Sequence, residues 1–151
     1  MATEIELLRK SKTIGPVVFS AFNRGHDSVA GDVTYTDLVA NVGDGFDIET
    51  GTFTCPKGGL YLFSFSGTTR ISNYDGTSST SVHIVVNGAQ EFVIANTQDR
   101  EEFADYISHT WMSNLSMGDT VHLQVTNGYL TSGPLIDQNG QRITFNGHLV
   151  Y

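Results

Sequence analysis

The sequence has 151 residues, of which 39% are hydrophobic, so it is long enough and apolar enough to form one folded domain with a buried core. Sixteen acidic residues against eight basic ones give a formal net charge of −8, which excludes nucleic acid and anionic membranes as partners, because both are bound through clustered basic side chains. No apolar run approaches the roughly 18–20 residues of a membrane-spanning helix, and the first ten residues lack the apolar stretch of a signal peptide. The chain is therefore either cytosolic, or a secretion signal was removed and Met1 is not the native start.

Residues 1–13 form a charged tail ahead of a domain at 14–151. Ile5, Leu7 and Leu8 among charged residues predict one or two helical turns, and so short a helix is ordered only where it packs. The tail is either frayed or the remnant of an oligomerisation stalk. From Pro16 the pattern is that of β-strands: we predict a first strand over 16–22, a second over 32–39 and a glycine-rich loop at 41–45.

The segment 51–65 predicts a central hairpin, in which two strands are joined by a Pro-x-Gly-Gly turn at 56–59. The first strand carries Phe53 and Cys55, and Cys55, the only cysteine, is expected to be a small buried hydrophobe rather than a reactive thiol. The second strand is apolar on both faces, with Leu60 and Leu62 on one and Tyr61, Phe63 and Phe65 on the other. Since both faces need cover, this strand is expected at the centre of a two-sheet sandwich or at an oligomer interface.

Five further strands follow, of which the first two cover 81–86 and 90–95. Asn87-Gly88 between alternating segments predicts a tight hairpin turn, and a strand is expected over 106–112. After a Gly-Asp turn at 118–119, the next strand places Val121, Leu123 and Val125 on one face, and a last strand covers 143–151. Short strands separated by Gly, Asn and Asp, with no helix after the tail, predict an all-β sandwich or jelly roll.

The histidines, at positions 26, 83, 109, 122 and 148, do not form an enzymatic pattern. The sequence contains no His-x-His, His-Glu-x-x-His, Cys-x-x-Cys or Gly-x-Ser-x-Gly motif. His122 and His148 alternate with apolar neighbours, so they project from the opposite strand face as partly exposed structural side chains. We predict that the protein is not an enzyme.

Five segments or spacings, in their order along the chain, carry a resemblance to a known family. They are Pro16-Val-Val-Phe-Ser-Ala, the spacing of Tyr35, Asn41, Phe46 and Phe53, then Gly59-Leu-Tyr-Leu-Phe-Ser-Phe, Gly118-Asp-Thr-Val-His-Leu and Phe145-Asn-Gly-His-Leu-Val-Tyr. Together they resemble the complement C1q globular-head family, over roughly residues 14–151. One departure is Tyr35, where the family usually has Phe.

The resemblance implies a ten-stranded jelly roll, shared with the tumour-necrosis-factor ligands and assembled as a compact homotrimer. Four aromatic residues are then expected in the core or the trimer interface: Tyr61, Phe63, Phe65 and Phe145. Because the chain has no Gly-x-y repeat, it resembles the stand-alone heads that are abundant among secreted invertebrate defence proteins. Some of these are lectins, including ones selective for sialic acid.

No cofactor is required by the sequence, but calcium is one candidate. Calcium needs six to eight oxygen ligands, and loops here offer acidic residues, among them Asp99, Glu101 and Glu102. The step Asp105-Tyr106 resembles one that lies at an axial calcium in a complement head, so the Asp105 carboxylate and the Tyr106 carbonyl are the predicted ligands. Met112 stands where a companion Gln is expected. A solvated acidic loop is the alternative.

Two polar loops are candidates for glycan binding, because they combine planar polar groups with aromatic rings. The candidate residues are Arg70, Asn73, Tyr74 and Asp75 in the first loop and Tyr129 and Gln138 in the second. The carboxylate of a sialic acid needs a donor, for which Arg70, Arg100 and Arg142 are available.

The resulting expectation is a secreted, trimeric, non-enzymatic recognition protein of the innate-immunity type, which binds glycans such as sialic acid or microbial surface patterns. Its partners are then other copies of itself and surface glycans, with no membrane insertion. The alternatives are a trimeric signalling ligand for a protein receptor and a structural assembly head.

Overall fold

In the computed structural model the described residues are 3–6, 15–24, 31–69, 79–98, 105–128, 130–131 and 143–151, with the main chain alone at 69, 79, 95–98, 105, 127 and 131. They form two packed antiparallel sheets, which confirms the predicted all-β jelly roll. The described strands are β1 (Val18–Asn23), β2 (Gly31–Asp32), β3 (Asp37–Val42), β4 (Phe46–Asp47), β5 (Thr52–Thr54), β6 (Gly59–Thr69), β7 (Ser79–Val86), β8 (Ala89–Gln98), β9 (Asp105–Leu115), β10 (Thr120–Asn127), β11 (Leu130–Thr131) and β12 (Ile143–Leu149).

The first sheet has the order β9-β6-β12-β1-β3, with β11 beside the end of β6. The second has the order β4-β5-β10-β7-β8, with β2 beside β10. Strands that are neighbours in a sheet are often far apart in the chain, as β1 and β12 are. The sheets are therefore held together by long-range pairing, which is typical of a jelly roll.

An aromatic cluster fills the space between the sheets. Phe19 of β1 stacks on Phe46 and Phe53 of the second sheet, with ring centroids 4.7 Å and 5.0 Å apart. Phe145 of β12 meets Phe19 edge-on at 4.9 Å. Such ring pairs add about 0.5–1.5 kcal/mol each beyond the burial of their area.

Three sequence expectations are confirmed at once by burial and backbone angles. Val121, Leu123 and Val125 are all at most 1% exposed. Asn87 and Gly88 both have positive φ, 51° and 79°, as a tight turn between β7 and β8 requires. Cys55 is buried, and burial raises the pKa of its thiol.

The predicted central hairpin at 51–65 is wrong. β5 pairs with β4 and β10 in the second sheet, whereas β6 lies in the first. The main chain of Cys55 bonds to the turn before β10, donating to the Asp119 carbonyl and accepting from Gly118, both at 2.8 Å. The Pro-Lys-Gly-Gly segment therefore carries the chain across from one sheet to the other.

The predicted single strand at 32–39 is also wrong, because two strands occupy this segment. β2 pairs with β10 in the second sheet and β3 pairs with β1 in the first. Val33 and Tyr35 between them are buried, 1% and 6% exposed, and they anchor the crossing in the core. In this segment the alternating apolar residues therefore do not form one strand. They are buried where the chain passes from the second sheet to the first.

Part of the tail is helical, as expected. Residues 4–6 form a helical turn, in which the Thr3 main-chain N–H donates to the Glu6 carboxylate and the Glu6 N–H donates to the Thr3 hydroxyl, at 3.0 Å and 3.3 Å. This reciprocal pair is a capping box, which stabilises the first turn of a helix. Among the described helical residues there is no segment long and apolar enough to cross a membrane.

Tyr35 has a hydroxyl that is buried with no hydrogen-bond partner among the described residues. Burial raises the pKa of the phenol well above its ordinary value. We expect Tyr35→Phe to increase the free energy of unfolding by about 0.5–1 kcal/mol, because it removes an uncompensated desolvation cost. Urea denaturation of both proteins measures the difference.

Tyr61 supplies the matched control. It is also fully buried, but its hydroxyl donates to the Lys57 carbonyl at 2.6 Å. Tyr61→Phe is therefore expected to lower the free energy of unfolding by about 1 kcal/mol. Two substitutions of one atom each would then have opposite signs, and a loss of stability in both proteins would contradict the account.

Candidate functional site

The four predicted core or interface aromatics lie in the core of the single chain. Tyr61, Phe63 and Phe65 of β6 and Phe145 of β12 are each at most 2% exposed, and all point between the sheets. The alternate residues of β6 point the other way. Leu60, Leu62, Ser64 and Ser66 are half-buried on the outer face of the first sheet.

Residues directly opposite one another on neighbouring strands point to the same side of a sheet. The strand pairings of the first sheet therefore arrange its outward-facing residues in rows that cross all five strands. One row consists of Val42, Val18, His148, Leu62 and Met112, and the next of Ala40, Ser20, Asn146, Ser64 and Thr110. We call these two rows the neutral face, because they contain neither an acidic nor a basic residue other than His148.

Short hydrogen bonds tie the polar side chains of the neutral face to one another. The Ser20 hydroxyl donates to Asn146 Oδ1 at 2.6 Å, and Asn146 Nδ2 donates to Ser64 Oγ at 3.3 Å. In the row beyond, Ser66 Oγ and Thr144 Oγ1 lie 2.5 Å apart. These groups already have partners within the sheet, so covering them with another surface leaves few polar atoms unsatisfied.

The apolar side chains of the neutral face are exposed to different degrees. Met112 is 60% exposed and Val42 is 47% exposed, whereas Leu62 and Val18 between them are half-buried. Beyond the neutral face, the nearest charged pair on this side of the sheet is Asp37, opposite Phe22, with Arg24, whose Nε lies 3.8 Å from Asp37 Oδ2. Neither of the two rows contains an Asp, Glu, Lys or Arg, so this charged pair of the described residues lies beside the neutral face and not in it.

The outer face of the second sheet is polar. His122 Nε2 lies 3.2 Å from Asp32 Oδ1, and Gln90 Nε2 donates to Gln124 Oε1 at 2.8 Å. These contacts join β10 to β2 and β10 to β8. Among the described residues, no three His, Cys, Asp or Glu side chains are grouped closely enough to bind a metal ion.

The edges of the two sheets meet at an aromatic seam formed by Phe92 of β8 and His109 and Trp111 of β9. Phe92 packs edge-on against Trp111, with ring centroids 6.4 Å apart, and is 41% exposed. Trp111 is 7% exposed, and its Nε1 has no hydrogen-bond partner among the described residues. This seam borders the neutral face, because Met112 follows Trp111 on the same strand.

The predicted glycan residues Arg70, Asn73, Tyr74, Asp75, Tyr129 and Gln138 lie outside the described residues. Of the predicted calcium ligands, Asp105 is described only by its main chain, and the Tyr106 side chain is 73% exposed. The strand ends next to these positions do come together. Thr69 pairs with both Asp105 and Leu130, so the residues that precede Arg70, follow Tyr129 and begin β9 meet at one end of β6.

At the other end of the sandwich a hydrogen-bond network joins two turns. The Ser116 N–H donates to Asp119 Oδ2 at 2.8 Å, and Asn87 Nδ2 donates to Asp119 Oδ1 at 3.1 Å. These bonds lower the pKa of the Asp119 carboxyl, the Ser116 bond contributing most. Asn87 Oδ1 in turn accepts from the Thr120 N–H at 2.9 Å, so the network is structural.

The sequence indicated only the β6 part of the neutral face. Val18, Ser20, Asn146 and His148 join it through strand pairings that link residues more than 80 positions apart. The alternation of small polar and apolar residues in β1 and β12 was the available signal, but it does not specify which strands are neighbours.

The sequence matches one protein-family model and several known proteins. The C1q domain family model matches residues 18–150. Complement C1q tumor necrosis factor-related protein 3 of Mus musculus is 28% identical over 98 residues, which is 65% of this chain and 38% of that protein. Complement C1q and tumor necrosis factor-related protein 9 of Mus musculus is 29% identical over 151 residues, 98% of this chain and 41% of that protein. The chain thus spans about two fifths of the length of these relatives.

Two solved structures share the fold. The globular domain of zebrafish complement 1qA protein has a TM-score of 0.65 at 24% identity, covering 91% of this chain and 98% of that one. Murine APRIL has a TM-score of 0.57 at 13% identity, covering 87% of this chain and 98% of that one. Because the family model spans nearly the whole sequence, the chain belongs to the C1q domain family.

Proposed function

We propose that this protein is a secreted, non-enzymatic recognition protein that assembles as a homotrimer through the neutral face and binds glycans with several sites at once. The observation that carries the proposal is the neutral face, two rows of residues that contain no acidic side chain and no basic one other than His148, on a strongly acidic chain. The proposed occupant of this face is another copy of the same chain.

Charge distribution supports self-association at this face rather than elsewhere. A chain with a formal net charge of −8 repels its own copies, and the repulsion is weakest where two copies meet through uncharged surfaces. The outer face of the second sheet, by contrast, presents Asp32 and a set of paired polar groups. Interfaces between copies are typically depleted of charged residues at their centre.

The cost of desolvation supports the same face. Ser20, Asn146 and Ser64 already form hydrogen bonds with one another, so their burial requires few new partners. Exposed Met112 and Val42 flank these groups and would contribute apolar area that water no longer contacts.

Family membership supports the proposed trimer, since C1q and tumour-necrosis-factor-like domains commonly form homotrimers. A trimer presents three copies of each binding loop. Weak individual sites that engage a repetitive surface together bind it roughly 10²–10⁴ times more tightly than one site alone. This is the mechanism that we propose for recognition of sialic acid or microbial glycans.

The proposed ligand residues remain Arg70, Asn73, Tyr74, Asp75, Tyr129 and Gln138, with Asp105 and Tyr106 as proposed calcium ligands. What supports them is the meeting of Thr69, Asp105 and Leu130, which brings the borders of these segments to one end of β6. On β6 the neutral face contains Leu62 and Ser64, whereas these segments meet at Thr69, the last residue of the strand. A trimer formed through the neutral face would therefore leave the Thr69 end of β6 open to ligands.

The proposal predicts that a charge in the neutral face abolishes both assembly and multivalent binding. We expect Leu62→Glu to convert the trimer to a folded monomer, because assembly would bury an unpaired carboxylate in each copy. Thr126→Glu, with the same added charge at an exposed position of β10 in the second sheet, is the matched control and should remain trimeric. Circular dichroism checks that both variants fold.

A glycan array, probed with and without a chelator, tests the ligand class. Wild type and Thr126→Glu should bind the same glycans, whereas Leu62→Glu should lose about 100-fold or more in apparent affinity. Loss of binding on chelation would support Asp105 and Tyr106 as calcium ligands. A blank array with the trimeric wild-type protein would contradict glycan recognition and would favour a protein receptor as the partner.

A further inference from the structure

His148 lies at the centre of the neutral face. It belongs to β12, the middle strand of the first sheet, where it is directly opposite Val18 of β1 and Leu62 of β6. Its side chain is exposed in the single chain. A second copy that covers the neutral face must therefore cover this imidazole too.

The surroundings of His148 offer no described charge to compensate a protonated imidazole. Outward residues of the flanking strands are Val18 and Ser20 in β1 and Leu60, Leu62 and Ser64 in β6; Val42 of β3 and Met112 of β9 complete the row. Three ionisable side chains lie at the borders. One is the phenol of Tyr151, whose main-chain carbonyl accepts from the Leu60 N–H, and the others are Asp37 and Arg24, which pair in the row beyond Asn146.

We propose that His148 is a proton-sensitive switch for assembly: its neutral form permits the neutral face to be covered, and its protonation drives the copies apart. This inference rests on the proposed assembly through that face. A histidine changes its charge between about pH 5 and 8. Burying the charged form without a counter-charge is unfavourable, and each trimer would bury three of them.

The overall charge of the chain predicts the opposite response to acid. With a sequence pI of about 4.8, the chain loses net negative charge as the pH falls from 8 toward 5, so general repulsion between copies weakens. Dissociation of the trimer at low pH therefore cannot arise from net charge. It would indicate that a specific side chain has been protonated. His122 is a matched control, because its Nε2 lies 3.2 Å from Asp32 on the outer face of the other sheet.

Sedimentation velocity of wild type, His148→Gln and His122→Gln at about pH 8 and about pH 5.5 tests the proposal. We expect all three to be trimers at the higher pH. At the lower pH, wild type and His122→Gln should dissociate, with the midpoint concentration for assembly raised at least tenfold, while His148→Gln should remain assembled. Circular dichroism at both pH values establishes that the fold persists.

Each other outcome overturns a specific statement. A wild-type trimer that does not respond to pH, or a His148→Gln variant that retains the full response, overturns the switch and leaves the proposed assembly standing. A wild-type protein that is monomeric even at the higher pH overturns the proposed assembly itself, and the switch with it.

Discussion

Phe145→Ala is expected to lower the free energy of unfolding by about 3–5 kcal/mol, the typical cost of emptying a buried aromatic site. Phe145 is 0% exposed and lies between the sheets. Rings from both sheets surround it, with centroids 4.9–6.2 Å away: Phe19, Tyr35, Phe46, Phe63 and Trp111. Because these rings also pack on one another, they cannot collapse into the space that the substitution leaves.

Thermal and urea denaturation at one fixed protein concentration measure this loss. For a chain of this size it corresponds to a decrease in Tm of about 6–20 °C. Phe92→Ala is the matched control, because it removes the same ring from a site that is 41% exposed at the edge of β8. We expect it to cost less than half as much, and equal losses at the two positions would mean that the core is not organised around Phe145.

Gly147→Ala should lower the free energy of unfolding by about 1–3 kcal/mol or more, because the core has no room for one methyl group at this position. A Cβ there would lie 2.8 Å from Phe63 Cδ1 and 2.9 Å from Phe19 Cζ, and it would also clash with Phe19 Cε1. Both rings belong to strands that pair with Gly147 directly, and they lean over the missing side chain from either side.

Gly15→Ala is the matched control for this substitution. Nothing lies within 4 Å of a Cβ built at Gly15, and we expect a change of at most about 0.5 kcal/mol. A double-mutant cycle with Phe19→Leu identifies the clash: the cost of Gly147→Ala should fall when the Phe19 ring is smaller. An undiminished cost in the Phe19→Leu background would rule out Phe19 as the cause.

Local patterns predicted most strands and the sides on which their residues lie. Val121, Leu123 and Val125 were placed on one buried face by alternation alone, and the Asn87-Gly88 turn by the backbone angles that it requires. The same patterns failed at 51–65, where alternation predicts a strand but does not specify its partner. Cys55 pairs with residues 118–119, more than 60 positions later, and that pairing directs β5 into the second sheet.

The neutral face shows a similar limit. That Leu60 and Leu62 face away from Tyr61 and Phe63 follows from the period of a strand. His148 lies between Val18 and Leu62 because of the register of three strands relative to one another. The sequence of a single strand does not specify that register. The glycan and calcium residues stay predictions, with the strand ends at Thr69, Asp105 and Leu130 as their structural support.

Sedimentation equilibrium of the wild-type protein at micromolar concentration and about pH 8 tests most directly whether copies of this chain assemble as a trimer. We predict a mass of about 49 kDa, three times the chain mass of 16.4 kDa. A single species at 16.4 kDa would contradict trimeric assembly and the multivalent recognition that depends on it.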